Sequence, residues 1–233
     1  MLSHLYQNNI LKNPKSIFAL LLIILLSFGY FSKDFRLDAS SETLLIEGDP
    51  DLKYLKEINK RYGSKEFLIL TYTPNEGMIT ESSINNLLSL KYKIQSLDWV
   101  HSVITLLDIP LLNNSEAPLQ ERLKSFKTLK DENVNIERGF NEIMTSPVFR
   151  NFVISEDGKT SGIIVYIKKD KIEYTENKSK NEIEIFKDSL KKKNHKNISQ
   201  IREVIKGYDD VGKIYLGGIP MIADDMMSFI KSD

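Results

Sequence analysis

The stretch Ile17–Phe31 reads IFALLLIILLSFGYF and contains no charged residue. A membrane-spanning helix needs about 20 apolar residues, with a lower limit of about 17, and extension of the stretch from Ser16 to Ser32 reaches that limit. Pro14 is tolerated in a first helical turn, so the helix can begin there. The sequence therefore predicts one transmembrane helix near the N-terminus, followed by a long portion of mixed charge that has the composition of a water-soluble domain.

A cleaved signal peptide and a buried helix of a soluble domain are two alternatives for this stretch. Lys12 and Lys15 would form the basic region of a signal peptide. Such a peptide ends in small residues, whereas this stretch ends in FGYFSK at positions 28–33, which is bulky and aromatic. The aromatic residues suit a membrane–water interface. This pattern favours an uncleaved anchor over both alternatives.

The distribution of basic residues predicts how the anchor is oriented. Lys12, Lys15 and the amino terminus favour a cytoplasmic N-terminus. Lys33 and Arg36 follow the anchor, but two aspartates accompany them. We expect the N-terminus in the cytoplasm and residues 33 onward outside the plasma (inner) membrane. The apolar spacing within residues 1–13 is typical of an interfacial helix on the inner leaflet, or of a helix that continues into the anchor.

Composition argues against several classes of function. The 233 residues include 32 basic and 32 acidic side chains, so the formal net charge is zero and gives no general attraction to nucleic acid. No cysteine is present for a disulfide or a thiolate metal site. His4, His101 and His195 are far apart in sequence and show no HxxxH or HExxH spacing. We expect no catalytic, cofactor or metal site, and an anchored hydrolase lacks a nucleophile motif.

The portion after the anchor alternates between helical and strand-like patterns. Thr80 is the expected N-cap of one helix. The polar segment 169–196 is rich in lysine, but interleaved glutamates favour a solvated helix face or a mobile loop over a patch that binds anionic lipid or nucleic acid. The residues at 155–158 read SEDG, a hairpin signal. Predicted helices cover 50–62, 81–97, 119–129, 136–144 and 198–205, and predicted strands cover 65–73, 99–107, 149–154, 160–168 and 213–216.

This order predicts an α+β fold in which one N-terminal transmembrane helix precedes a ferredoxin-like, or split βαβ, domain with a helical insert at 119–146. Helices would cover one face of a four-stranded antiparallel sheet. Four regions follow: the cytoplasmic N-terminus and transmembrane helix at 1–32, a linker segment with a short helix at 33–63, the extracytoplasmic domain at 64–220, and an amphipathic tail at 221–233.

The tail contains adjacent acids, Asp224 and Asp225, which raise the question of metal binding or acid–base chemistry. Adjacent residues of a helix point about 100° apart, so these two carboxylates do not converge on one ligand. A structural role is favoured.

Several short motifs occur in a fixed order along the chain. They are 35–42 (FRLDASSE), 48–50 (GDP), 62–66 (YGSKE), 100–103 (VHSV) with 107–110 (LDIP), and 216–220 (LGGIP). With the anchor before them, they resemble the start of RND-superfamily exporters of the MMPL type, and the resemblance covers essentially the whole chain. Its strength lies in the order and spacing of the motifs together.

The resemblance implies a proton-driven exporter of lipids or other hydrophobic molecules, built from two repeated halves that each carry a porter domain between the first and second helices. This chain would be the first helix, the first porter domain and the lead-in to a second helix. The proton-relay carboxylates of the family lie in later membrane helices, and no position here matches them. Asp38, Gly217, Gly218 and Pro220 match family positions and are interpreted as structural.

Alternating access needs two repeats that move against each other, so this chain alone is expected to be inactive in transport, as a fragment of an exporter or one piece of a split one. Its implied partners are the remainder of the transporter, a hydrophobic or lipid substrate and membrane lipid, and a homo-oligomer is compatible with the resemblance. The alternative is a free-standing, membrane-anchored extracytoplasmic sensor or binding module.

Overall fold

A computed structural model describes residues 14–32, 49–62, 66–113, 120, 126–168 and 180–232. The chain divides into two units, Met1–Ala39 and Ser40–Asp233. The first unit contains helix α1, Pro14–Ser32, none of whose residues is buried. The elements of the second unit are α2 (Pro50–Tyr62), β1 (Phe67–Pro74), α3 (Glu81–Gln95), β2 (Val100–Ile104), a 3-10 helix (Leu106–Asp108), α4 (Ile136–Thr145), β3 (Ser161–Ile167), α5 (Lys180–Lys206), β4 (Gly212–Gly217) and α6 (Ile219–Ser232).

The four strands form one antiparallel sheet with the order β2-β3-β1-β4. β1 lies inside the sheet, where Leu70 pairs with Ile163 of β3 and with Leu216 of β4. Because β3 lies between β1 and β2 and is antiparallel to both, β1 and β2 run in the same direction and α3 connects them across β3. The α+β class and the four-stranded antiparallel sheet predicted from the sequence are confirmed.

One face of the sheet is buried and the other is largely open. Along β1, Leu68, Leu70 and Tyr72 are fully buried, whereas Phe67 and Ile69 are exposed. The buried face forms one apolar cluster with residues of α3 and α5, which include Leu87, Leu90, Ile94, Ile198 and Ile201. The period-two alternation of a strand explains this division, because successive side chains point to opposite faces of the sheet.

Local capping sets the starts of the helices. Thr80 accepts a hydrogen bond from the backbone N–H of Ser83 at 3.2 Å, as expected for the predicted N-cap of α3. Asn135 caps α4 in the same way by accepting from the N–H of Arg138 at 2.8 Å. These bonds satisfy backbone donors that the first turn of a helix leaves without partners.

The predicted strand at 149–154 is wrong. The segment consists of turns with isolated bridges, and Asn151 has a left-handed φ of 63°. The backbone N–H of Val153 donates to the carbonyl of Phe149 at 2.8 Å, a helical-turn bond that an extended strand cannot make. The expected turn at 155–158 is present: Ser155 N–H donates to Thr160 at 2.9 Å, and Gly158 has a φ of 70°.

The predicted helix at 119–129 is wrong over its last residues, 126–129. There the carbonyl of Lys127 accepts from the N–H of Leu111 at 2.8 Å in an isolated bridge. Leu129 is only 4% exposed, so its apolar character serves the core without a helix. Most of 119–125 lies outside the described residues.

Other boundaries differ from the predictions. β2 ends at Ile104 rather than at 107, because Thr105 and Asp108 cap a 3-10 turn. α5 begins at Lys180, well before the apolar positions at 198–205 that predicted it, and α6 begins at Ile219. The expectations for residues 1–13, 33–48 (including Asp38), 63–65 and 169–179 lie outside the described residues.

Candidate functional site

Helix α1 has the dimensions of a membrane span. It is 19 residues long with a mean hydropathy of 1.9, and at 1.5 Å per residue it extends about 28 Å. The hydrocarbon core of a bilayer is about 30 Å thick. A secretory signal peptide can have the same length and apolar composition. The helix therefore indicates a membrane segment, either cleaved or retained.

The entry to α6 depends on a glycine, as the sequence suggested for Gly217 and Gly218. Gly218 has a φ of +119°, a conformation that side chains rarely adopt. A Cβ at this position would lie 3.1 Å from the carbonyl oxygen of Phe67. The chain therefore turns close against β1, and Pro220 occupies the first turn of α6, where proline is tolerated.

Polar contacts join α6 to α5. Asp224 Oδ1 lies 2.8 Å from His195 Nδ1, and Asp225 Oδ1 accepts from Arg202 at 2.6 Å. The side-chain amide of Asn194 donates to the carbonyl of Pro220 at 2.7 Å. The two adjacent acids thus diverge as helical geometry requires, and each binds a different residue of α5. We call these three contacts the α5–α6 junction.

Asp224 is the most enclosed acid of this junction. Its side chain is 5% exposed, whereas that of His195 is 64% exposed. Its second oxygen, Oδ2, is buried and has no hydrogen-bond partner among the described residues. The Oδ1–Nδ1 contact matches the His195 tautomer that holds its proton on Nδ1 and donates it to a carboxylate.

His195 and Asp224 are residue types of a hydrolytic triad, but among the described residues no serine is bonded to the His195 imidazole. Ser199, one turn from His195, donates its hydroxyl to the histidine backbone carbonyl at 2.8 Å. In the described part of the chain, no group of three His, Asp or Glu side chains could hold a metal ion. The described contacts of this pair join two helices.

A second cluster of polar contacts surrounds Asp108, which belongs to the LDIP motif at 107–110. Asp108 Oδ2 accepts from the backbone N–H of Thr105 at 2.8 Å and from its hydroxyl at 2.9 Å. Oδ1 accepts from Lys91, which is 7% exposed, and from Lys130 at 2.9 Å. Burial alone would raise the pKa of the Asp108 carboxyl, but the bonds from the lysines and Thr105 outweigh it and lower the pKa.

The contact between Thr105 and Asp108 could have been predicted from the sequence, since Thr105-x-x-Asp108 is a capping-box pattern. The contacts of Asp108 with Lys91 and Lys130 could not, because these lysines come from distant parts of the chain. All the described contacts of Asp108 hold protein groups together, so the cluster fastens the end of β2 to α3 and to the 126–131 loop.

A cavity of about 290 Å³ lies beside α4. Glu142 stands in its wall and accepts from the backbone N–H groups of Leu112 at 2.6 Å and Asn113 at 3.0 Å. The Glu142 carboxylate thus binds the backbone of the loop at 112–113. The lining residues are Pro110, Leu112, Asn113, Glu142, Ile143, Thr145, Ser146, Pro147 and Phe149.

The two described histidines, His101 and His195, lie on different elements. His101 is exposed on β2 at a register shift between Val100 and Ser102. His195 belongs to the α5–α6 junction, and His4 lies outside the described residues.

No family model matches this chain, and no curated protein matches it.

Proposed function

We propose that this chain is the N-terminal segment of a proton-driven membrane exporter of the RND/MMPL type, which moves lipids or other hydrophobic molecules. The observation that carries the proposal is the combination of one apolar helix, α1, with a following α+β domain whose strand order is β2-β3-β1-β4. No family model matches the chain, so the proposal is supported by the order of the short motifs and by the architecture rather than by a shared sequence profile.

The strand order supports a ferredoxin-like fold for the domain. In the split βαβ arrangement, each pair of parallel strands is separated by a strand from the other pair. Here β3 separates β1 from β2, and β1 separates β3 from β4, with α3 and α5 as the connecting helices. The insert between β2 and β3 contains α4 and the turns at 146–154. We interpret this domain as the first porter domain of the exporter.

The same proposal places the chain in the plasma (inner) membrane with its N-terminus in the cytoplasm. Lys15 precedes the apolar residues of α1, and the domain after it would be extracytoplasmic. The partners are then the remaining membrane helices, a second porter domain, lipid and a hydrophobic substrate. Transport requires two repeats, so the segment by itself does not transport.

The reading frame downstream of codon 233 tests this proposal directly. An exporter requires an open frame that soon encodes another apolar run of about 20 residues. Transport of a fluorescent lipid in proteoliposomes should then depend on the longer product, and residues 1–233 alone should give none. A stop codon directly after Asp233, with stable expression of the short protein, would favour the free-standing sensor or binding module over the exporter.

A membrane-anchored extracytoplasmic sensor or binding module is the second candidate. The open face of the sheet favours it, since Phe67, Ile69 and Tyr215 are 44%, 42% and 67% exposed there. Apolar surface of this kind marks sites of association. Under this proposal, Tyr215→Ser would abolish capture of a partner by the short protein, whereas Tyr92→Ser, an exposed change on α3, would leave capture unchanged. Equal capture by both variants would contradict it.

A further inference from the structure

The two edge strands of the sheet, β2 and β4, differ in regularity. An edge strand presents unpaired backbone groups, and proteins commonly protect it with a bulge, a proline or charged residues. In β2 the register shifts between Val100 and Ser102. In contrast, β4 pairs with β1 over the whole of Gly212–Gly217 without a shift, and its one charged residue is Lys213. β4 therefore keeps the regular backbone that a further strand needs.

The hydrogen bonds of β4 show which of its residues direct their backbone groups outward. The N–H of Asn75 donates to the carbonyl of Val211 at 3.2 Å, one residue beyond the two paired strands. Bonded and non-bonded pairs alternate along an antiparallel ladder, so the odd-numbered residues of β4 bond to β1. The N–H and C=O groups of Ile214 and Leu216 point away from β1, and no described group bonds to them. These donors and acceptors match those of another extended strand.

The side chains of β4 are partly apolar on both faces of the sheet. Tyr215 is largely exposed on the open face. Ile214 and Leu216 are half-buried on the opposite face, where they pack against the core cluster. The polar contacts of the α5–α6 junction connect those two helices and leave the β4 edge unoccupied. An added strand would therefore cover apolar side chains on both faces.

The sequence of β4, GKIYLG, suits antiparallel pairing with a second copy of itself. When two copies meet about a two-fold axis at Tyr215, Ile214 of each copy lies opposite Leu216 of the other. The outward N–H and C=O groups of both residues then bond across the axis. Lys213 lies opposite Gly217, so no like charges face each other, and the two Tyr215 rings form a cross-strand aromatic pair.

The neighbouring registers fit less well. An axis at Leu216 would pair Ile214 with Gly218, whose φ of +119° is not that of a strand. An axis at Ile214 would pair Leu216 with Gly212, whose N–H already donates to the carbonyl of Tyr208 at 3.3 Å. The axis at position 215 is therefore favoured.

We propose that two copies of this chain associate through their β4 edges and join their four-stranded sheets into one continuous antiparallel sheet. A two-fold interface uses the same surface on both copies, so the assembly closes as a dimer. The self-complementary register of β4 is the reason for a second copy as the occupant. The inference does not rest on the exporter assignment, because neither α1 nor transport enters it.

The chain contains no cysteine, so introduced cysteines report which residues meet. Opposite residues of a non-hydrogen-bonded pair have Cα atoms about 4.5 Å apart, which lies within the range of roughly 4.4–6.8 Å that disulfides accept. We would oxidise the full chain as Tyr215→Cys or Lys213→Cys, with detergent in large excess so that copies do not share micelles by chance. Ile104→Cys is the matched control, because Ile104 is exposed on the same open face of the other edge strand, β2.

We expect Tyr215→Cys to form a disulfide-linked dimer roughly 100-fold faster than Ile104→Cys, because association raises the local concentration of the partner thiol. Lys213→Cys should be as slow as the control. A Tyr215→Cys rate no higher than that of Ile104→Cys would overturn the proposal, whether the edge is free or covered by another segment of the chain. Faster self-linking of Lys213→Cys than of Tyr215→Cys would show a different register and also overturn it.

A mixture of two variants tests the register independently. Gly217→Cys is tolerated by the fold, since a Cβ there would lie 3.7 Å from the Ile69 carbonyl oxygen, an ordinary contact. Lys213→Cys mixed with Gly217→Cys should cross-link, because these positions face each other in the proposed dimer, whereas each variant alone should not. Mass spectrometry identifies the mixed disulfide, and its absence would contradict the proposed pairing.

Discussion

The chain contains the same four-residue pattern twice, as Thr105–Asp108 (TLLD) and as 128–131 (TLKD), and the two copies differ in what surrounds them. In both, the aspartate Oδ2 accepts from the backbone N–H and the hydroxyl of the threonine, at 2.8 and 2.9 Å in the first and 2.6 and 2.9 Å in the second. Asp108 also binds two lysines and is largely enclosed, whereas the Asp131 turn is exposed. The local pattern determines the turn, and the tertiary contacts determine how much the turn contributes to stability.

The largest expected difference between the copies comes from neutralising each aspartate. Asp108→Asn should lower the free energy of unfolding by about 3 kcal/mol, because Lys91 would remain buried without its carboxylate. Asp131→Asn is the matched control, with a loss of about 0.5 kcal/mol at the surface. Urea unfolding in detergent can be followed by the fluorescence of Trp99, the single tryptophan, which is 8% exposed. Equal losses in the two variants would contradict the comparison.

The two lysines should contribute unequally to the Asp108 cluster. Lys91→Met keeps the buried stem but removes the charge, and a loss of about 1.5 kcal/mol is expected, less than for Asp108→Asn because Lys130 still binds the carboxylate. Lys130→Met is the control, since its side chain is 39% exposed, and its loss should be about 0.5 kcal/mol. The same unfolding measurement applies, and a larger effect from Lys130 would reverse the assignment.

The threonines provide a smaller contrast. Thr105 is fully buried, and its hydroxyl also accepts from the N–H of Leu107 at 3.2 Å. Thr105→Val should cost about 1 kcal/mol through the loss of these hydrogen bonds. Thr128→Val, in the exposed copy, should cost about half as much, because water replaces its partner. Differential scanning calorimetry of both variants would compare them, and a greater loss from Thr128→Val would count against the role of burial.

Near neutral pH, the change of the unfolding free energy with pH should be the smallest of these effects. In acid, Asp108 should contribute more to that change than Asp131. Burial raises the pKa of the Asp108 carboxyl, but the bonds from Lys91, Lys130 and Thr105 outweigh it and leave that pKa lowered. Hydrogen bonds from Thr128 lower the pKa of Asp131. The unfolded state therefore binds more protons than the folded state in acid. Stability from each group is complete above the unfolded carboxyl pKa and is lost as the pH falls through the folded value.

Salt concentration and the two aspartate variants separate the contributions of Asp108 and Asp131 in acid. Salt should weaken only the attraction of Lys130 and Lys127 for Asp131, because screening acts mainly on exposed charges, and should leave the hydrogen bonds from Thr128 in place. Asp108→Asn and Asp131→Asn should therefore each still flatten the unfolding free energy against pH in high salt. An unaltered slope in Asp108→Asn would show that other groups carry the dependence.

Much of the fold could be predicted because the signals are local. The apolar run predicted α1, and the cap at Thr80 followed by helical spacing predicted α3. The strand at 149–154 could not be rejected from its composition, because the left-handed Asn151 and its turn bonds depend on packing against β3. The start of α5 is polar and rich in lysine, and its helix was predicted only from 198 onward although Ile183, Phe186 and Leu190 are spaced three and four residues apart.

The candidate site was less predictable than the fold. Asp224 and Asp225 were correctly expected to diverge, since that follows from helical geometry alone. Their partners could not be foreseen, because His195 and Arg202 lie 29 and 23 residues away. The side of α6 that stays exposed likewise follows from those partners and not from the sequence of α6.

The sequence by itself determined a membrane-length apolar helix, the alternation of helices and strands, and the turns whose hydrogen bonds close within three residues. Those features depend on backbone geometry and on neighbours along the chain. Only the tertiary structure decided the strand order β2-β3-β1-β4, the lysines that distinguish Asp108 from Asp131, and the side of α6 that remains exposed. These depend on contacts between distant segments, whose free energy is set by burial and by which polar groups meet inside the folded domain.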